Sequence, residues 1–115
     1  MDGIFMTNWA TQVRKGVLEL GVLNAISAGK IYGYDIVRKL RAVDGLVISE
    51  GTIYPILSRL KREGLVSTAI EESSQGPARK YYQLTDQGQR HLDTMNSHWL
   101  SIAGGIASLR KESKP

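Results

Sequence analysis

The amino-acid sequence predicts a mainly α fold with one small β-hairpin: three helices, two short strands and a long last helix. Three observations carry that expectation. Apolar residues recur at helical spacing over four separate segments. Between the third and the fourth the pattern changes to short β-branched and aromatic runs. Glycine, aspartate or proline marks the boundaries between them.

The first helix is predicted over Trp9 to Ala28. Val13, Val17, Leu20 and Asn24 share one face, and Leu18, Val22 and Ile26 another, so neighbours are expected on both sides. Ala28-Gly29-Lys30 ends it. The second helix, Tyr34 to Ala42, has Ile36, Val37 and Leu40 as its apolar stripe and Asp35 in its first turn, where the helix dipole favours an acid. Asp44-Gly45 is a turn signal. The third helix, Gly51 to Glu63, places Ile53, Ile56, Leu57 and Leu60 at i, i+3, i+4 and i+7, and Gly64 stops it. Since proline is tolerated only in a first turn, Pro55 is expected to place the true start of this helix near Tyr54.

Leu65 to Ile70 and Tyr81 to Leu84 are the predicted strands, joined by the polar turn Glu71 to Pro77. Thr85 is the expected N-cap of the last helix, with Asp86 in its first turn. That helix should run to about Arg110, leaving Lys111 to Pro115 as a frayed tail. Two short helices joined by a turn, then a hairpin, are the sequence form of a winged helix-turn-helix, with a long C-terminal helix added.

Composition narrows the function. The chain has 115 residues, enough for one domain with a modest core, and is 42% hydrophobic and 23% charged, hence globular. It contains no cysteine, which excludes disulfides and thiolate metal sites and fits a cytoplasmic protein. The apolar run Val17 to Ile26 is broken by Glu19, Gly21 and Asn24, so no membrane span is expected, and no signal peptide is visible. A net charge of +4 points to a polyanionic partner as readily as to a basic surface. No phosphate-binding glycine loop, paired-histidine motif or nucleophile-base-acid arrangement suggests an enzyme, and no cofactor or metal is expected. His91 and His98, seven apart on the last helix, read as ordinary polar positions.

Several short motifs, taken in order, go further. They are Gly16-Val17-Leu18-Glu19-Leu20; Tyr32-Gly33-Tyr34-Asp35-Ile36; Gly51-Thr52-Ile53-Tyr54-Pro55-Ile56-Leu57 with Arg59-Leu60; Glu63-Gly64-Leu65-Val66; and Gly76-Pro77-Ala78-Arg79-Lys80-Tyr81-Tyr82 with Leu84-Thr85 and Gly88. In this order they resemble the PadR family of bacterial transcriptional regulators, and the short C-terminus resembles its small subclass with a single C-terminal dimerisation helix. The resemblance implies a winged-helix DNA-binding domain over residues 1–84 and a dimerisation helix with its tail over 85–115. Gly104-Gly105, inside that helix, is the departure: two interior glycines cost about 1–2 kcal/mol and leave open whether the helix bends there.

A recognition helix contacts base edges from its N-terminal residues, and small polar residues there let the backbone approach. Ser49, Gly51, Thr52, Tyr54 and Pro55 fit that role, with Ser58, Arg59, Lys61 and Arg62 along the exposed side. In the family the segment holding Tyr32 and Tyr34 lies beside the DNA backbone. Arg79 and Lys80 in the wing are expected phosphate anchors, opposed by Glu71 and Glu72. Leu92, Met95, Trp99, Ile102, Ile106 and Leu109 form a stripe too long for one small core to cover, which predicts a homodimer and hence a palindromic double-stranded operator. In multidrug-binding relatives a tryptophan of the last helix lines a hydrophobic space between subunits. By that resemblance Trp99, flanked by Met95 and Ile102 and joined by Trp9, would hold a planar hydrophobic or phenolic molecule, with Asp93 or Glu19 as a charge for a cationic one. The expected function is a homodimeric repressor released by a small ligand. A winged helix that binds another protein, and a DNA-binding regulator with no effector, stay open as alternatives.

Overall fold

The computed structural model describes residues 3–46 and 48–112. Four helices and a three-stranded antiparallel sheet follow in the order α1 (Gly3–Ile26), β1 (Ile31–Tyr32), α2 (Gly33–Arg41), α3 (Glu50–Arg62), β2 (Val66–Ser73), β3 (Gly76–Leu84) and α4 (Asp86–Glu112). The sheet order is β1-β3-β2, with Tyr32 opposite Tyr81 and Val66 opposite Leu84. The mainly helical winged-helix fold is thus as expected.

Four details differ from the sequence expectation, each for a physical reason. First, α1 starts at Gly3 rather than Trp9; the Thr7 and Thr11 hydroxyls donate to the carbonyls of Gly3 and Thr7, at 2.7 and 2.8 Å, and so spend their polar groups within the helix. Second, α3 starts at Glu50, so Pro55 lies inside the helix rather than at its first turn. The proline removes one hydrogen bond, to the Gly51 carbonyl, and both residues are exposed, so the loss falls at the surface and not in the core. Third, the strands are longer than expected and the turn is only Ser74-Gln75, while Glu71, Glu72, Ser73, Gly76 and Pro77 belong to strands, with an irregularity between Glu71 and Ser73. Fourth, β1 was not expected, since two residues carry no periodicity.

One core serves the whole fold. Val22, Leu23 and Ile26 of α1 meet Ile36, Val37 and Leu40 of α2, Ile53, Leu57 and Leu60 of α3, and Val66, Tyr82 and Leu92 from the sheet and α4. Leu92 is only 1% exposed, so it belongs to the chain's own core and not to a seam with a partner. Helix α4 is continuous through Gly104 and Gly105. Helix α4 runs on through Lys111 and Glu112, two residues expected in the frayed tail, and the rest of that tail, residues 113–115, lies outside the described residues. With helices of 24 and 27 residues, about 36 and 40 Å long at 1.5 Å per residue, the molecule extends 62 × 33 × 21 Å.

The junction of α3, β2, β3 and α4 is the tightest point. Gly64 has φ +77°, and the N–H groups of Gly64 and Leu65 donate to the carbonyls of Lys61 and Leu60 at 3.1 and 3.0 Å, a Schellman stop. The Thr85 N–H then donates to the Leu65 carbonyl at 3.1 Å, and its hydroxyl donates to the Gly64 carbonyl at 2.7 Å. The same hydroxyl accepts the Gly88 N–H at 2.9 Å, which makes Thr85 the expected N-cap. A Cβ on Gly88 would overlap the Leu65 carbonyl, 2.9 Å from its carbon. Gly88→Ala therefore cannot be absorbed by a rotamer change and should cost about 2–3 kcal/mol or more, read as a lower denaturation midpoint. An unchanged midpoint would refute the close packing of α4 on Leu65.

Candidate nucleic-acid interface

On α3 the apolar positions Ile53, Leu57 and Leu60 turn inward. Gly51, Pro55, Ser58 and Arg62, at i, i+4, i+7 and i+11, therefore form the line pointing away from the core, and all four are exposed. Ser49 occupies the N-cap position with extended backbone, but its side chain caps no N–H; its hydroxyl instead pairs with that of Thr52 at 3.1 Å. The Ser49 carbonyl accepts the N–H groups of Thr52 and Ile53, at 3.1 and 3.2 Å, which leaves those of Glu50 and Gly51 facing outward on a surface of small side chains. Among the described residues no carboxylate pairs with Lys61, Arg62 or Lys80. Glu50 in the first turn is the local opposing charge.

The five tyrosines of the chain, Tyr32, Tyr34, Tyr54, Tyr81 and Tyr82, gather around the start of α2. Tyr32 lies 6.5 Å from Tyr34 and 5.9 Å from Tyr81, ring centre to ring centre. Buried Gly33 leaves room for two others: a Cβ there would sit 3.1 Å from the Tyr82 ring and 3.5 Å from that of Tyr54. Burial, then Glu50 and the neighbouring rings, pushes the Tyr54 phenol above its ordinary 10.0. Burial does the same for Tyr82. Both hydroxyls are therefore neutral donors at physiological pH. Tyr34 and Tyr54 keep 39% and 37% of their surface exposed, so each can reach outward while the cluster holds its ring.

Wing cations are stacked as well as charged. Arg79 lies 4.8 Å over the Tyr32 ring and opposite Glu71, and Lys30 lies 5.3 Å over Tyr81 while pairing with Glu71. Lys80, opposite Ile70, is the neighbouring cation on β3. The Lys30–Glu71 pair joins positions far apart in the chain and has no local sequence signal.

Arg59 is placed differently from the other cations. Its guanidinium donates to Glu63 at 2.8 and 3.2 Å and reaches Glu19 of α1 at 3.1 Å. These two carboxylates, Glu63 foremost, hold it still more firmly charged than a free arginine. It occupies the flank of α3 that faces α1. Glu19 is thereby engaged and does not line a cleft, and Asp93 accepts a bond from Gln89 at 2.9 Å. Glu19 had one readable signal, an acid inside the apolar run Val17 to Ile26.

Helix α4 crosses α1 beside two apolar clefts. One, of about 400 Å³, is lined by Val17, Leu20, Asn24, Lys39, Leu40, Val43, Leu46 and Trp99 among others. A second, of about 300 Å³, is lined by Gly16, Val17, Leu20, Met95, His98, Trp99 and Ile102. The expected trio Met95, Trp99 and Ile102 is thus brought together, whereas Trp9 lines neither cleft. No acidic side chain lines either one. Asn24 and Asn96 exchange side-chain hydrogen bonds at 2.9 and 3.0 Å, fixing α4 on α1. Beyond Trp99, Ile106 and Leu109 are 63% and 62% exposed, and at the far end of α1 so are Ile4, Phe5, Met6 and Trp9 in large part. Among the described residues no three histidine, aspartate or glutamate side chains gather to hold a metal, and no helix is long and apolar enough to cross a membrane.

Comparison with known proteins bears on the family and the fold. The model of the transcriptional regulator PadR-like family matches residues 22–94. The chain is similar to the crystal structure of a PadR-like transcriptional regulator from Bacillus cereus, at 39% identity and a TM-score of 0.77 over 85% of this chain and 95% of that one. It is similar to a PadR-like transcription factor from Bacteroides fragilis at 37% identity and a TM-score of 0.71, over 89% and 98% of the two chains. A PadR family regulator from Eggerthella lenta matches at 29% identity and a TM-score of 0.80, over 96% and 95%.

Proposed function

Because the chain belongs to the PadR-like family of transcriptional regulators, we propose that it is a homodimeric repressor that reads a palindromic duplex through α3 and is released by a small ligand. The exposed line of α3 supports the DNA reading most directly. Gly51, Pro55 and Ser58 offer no bulk, so the helix can lie deep in a major groove, and Arg62 offers a long donor at its end. Thr52 and Ser49 stand at the first turn and Tyr54 at its rim. Lys61, Lys80 and Arg79 flank this surface as backbone contacts, with the hydroxyls of Tyr32 and Tyr34 beside them. Residues 1–84 form the DNA-binding part of this proposal and residues 85–115 the pairing part.

Dimerisation is supported by apolar surface that the chain leaves exposed. Trp99 and Ile102 are only partly covered by α1, Ile106 and Leu109 continue the stripe of α4 with more than half of their surface exposed, and the start of α1 is equally apolar. A two-fold pairing of these helices would cover both and set two α3 helices one or more DNA turns apart. The clefts beside Trp99 support a planar ligand, since an indole gives a flat wall and Met95 an adaptable one. With Asn24 and Lys39 as polar liners and no acid, a neutral or phenolic compound fits better than a cation.

Three measurements test this reading. Binding to a duplex selected by the protein itself should weaken roughly a thousandfold or more between 50 and 200 mM salt if six to ten phosphates are contacted; a flat salt response refutes DNA binding. Ile106→Glu with Leu109→Glu changes exposed positions only, so the chain should stay folded but sediment as a monomer and lose most of its affinity for the full palindrome. A variant that remains a dimer disproves this seam. Planar phenolic compounds should quench indole fluorescence and release the duplex. Quenching that persists unchanged in Trp99→Ala, where Trp9 is the remaining indole, would place the ligand elsewhere.

A further inference from the structure

Arg59 would be counted among phosphate anchors by charge and position on α3, yet two carboxylates enclose it. Glu63 lies one turn on in the same helix, at 2.8 Å, and Glu19 reaches it from α1, at 3.1 Å. The three groups together carry one net negative charge, so a phosphate approaching Arg59 meets repulsion and not attraction. We propose that Glu19 is a positioning residue for DNA reading: it holds Arg59 against α1, keeps that cation off the nucleic acid, and fixes the roll of α3 about its own axis. The proposal rests on the DNA-binding reading above.

The reason such a strut matters is geometric. Helix α3 is held to the core by the stripe Ile53, Leu57 and Leu60. Apolar attraction is itself non-directional, so a small roll that keeps these side chains buried is opposed by packing alone. Directional contacts stand on the two flanks. On one, Tyr54 packs beside Gly33, 3.5 Å from the place of a Cβ. On the other, Arg59 joins Glu19. Among the described residues this is the one ion pair between α1 and α3. With side chains reaching about 5–6 Å from the helix axis, a roll of about 20° displaces their tips by about 2 Å. A hydrogen bond to a base edge tolerates a few tenths of an ångström. A pair with each partner more than a third exposed adds little to stability, but it is well placed to aim Ser58 and Arg62.

The expected effect is on discrimination. Glu19→Gln leaves Arg59 with Glu63 alone and lets α3 roll. The ratio of affinities for a duplex selected by the wild-type chain and for a random duplex of equal length should fall at least tenfold. Affinity for the random duplex should hold or rise, and its salt slope should steepen by about 0.9 for each arginine that gains a phosphate. Exchanging the charges, Glu19→Arg with Arg59→Glu, should recover most of the ratio. Circular dichroism and the thermal midpoint should change little in either variant, which separates aim from folding. If Glu19→Gln leaves the ratio unchanged, or weakens both duplexes equally, or if the charge exchange rescues nothing, the proposal is overturned. If the wild-type chain shows no salt-dependent duplex binding, the DNA reading falls and takes this proposal with it; a wild type that binds beside an unaltered Glu19→Gln strikes the proposal alone.

Discussion

The architecture depends on one crossing of backbone, where the carbonyl of Leu65 receives the Thr85 N–H and lies against Gly88. Four elements meet there. Helix α3 has just ended at its Gly64 stop, β2 begins, β3 has ended, and α4 starts from its Thr85 cap. Because the Thr85 hydroxyl bonds both ways, to the Gly64 carbonyl and from the Gly88 N–H, the end of one helix and the start of another share a single polar atom. No side chain at Gly88 intervenes. The wing therefore leaves α3, and α4 leaves the wing, at angles set by backbone hydrogen bonds and not by adjustable packing.

A second anchor works at the opposite end of α3. Gly33 lets the rings of Tyr54 and Tyr82 close over the start of α2, and β1 pairs Tyr32 with Tyr81. One glycine thus joins the base of the wing to the first turns of both helices of the helix-turn-helix. The aromatic cluster also shapes the electrostatics, since Arg79 and Lys30 stack on its rings. Stacked cations keep their charge while losing freedom, so they present it at fixed places on the surface. Lys61 and Arg62 are positioned only by their helix.

Much of this was legible in the sequence because it rests on local rules. The stripe Ile53, Leu57 and Leu60, the Gly64 stop and the Thr85 cap are each set within a turn or so of chain. What escaped depended on distant partners. Two residues of β1 show no pattern until β3 lies beside them. Pro55 reads as a helix start because its missing bond is a local fact, while the exposure of Gly51 that makes the loss tolerable is a tertiary one. Arg59 looks like any basic residue on a basic face; its two acids come from four residues on and from a different helix.

The last helix shows the same limit most clearly. Leu92, Met95, Trp99, Ile102, Ile106 and Leu109 keep one spacing throughout, and the spacing alone assigns them one role. The fold divides them. Leu92 closes the chain's own core, Met95 packs at its edge, and Trp99 stands at the clefts against α1. Ile106 and Leu109 stay mostly exposed. Periodicity reports which face of a helix is apolar but carries no information on how far a neighbour extends along it. That distance is set by where α1 crosses α4 at the Asn24–Asn96 pair, and a paired amide at a crossing has no sequence signature of its own. An apolar stripe that outruns its cover is therefore the feature of this helix that points beyond the single chain, and it becomes visible only once the crossing is known.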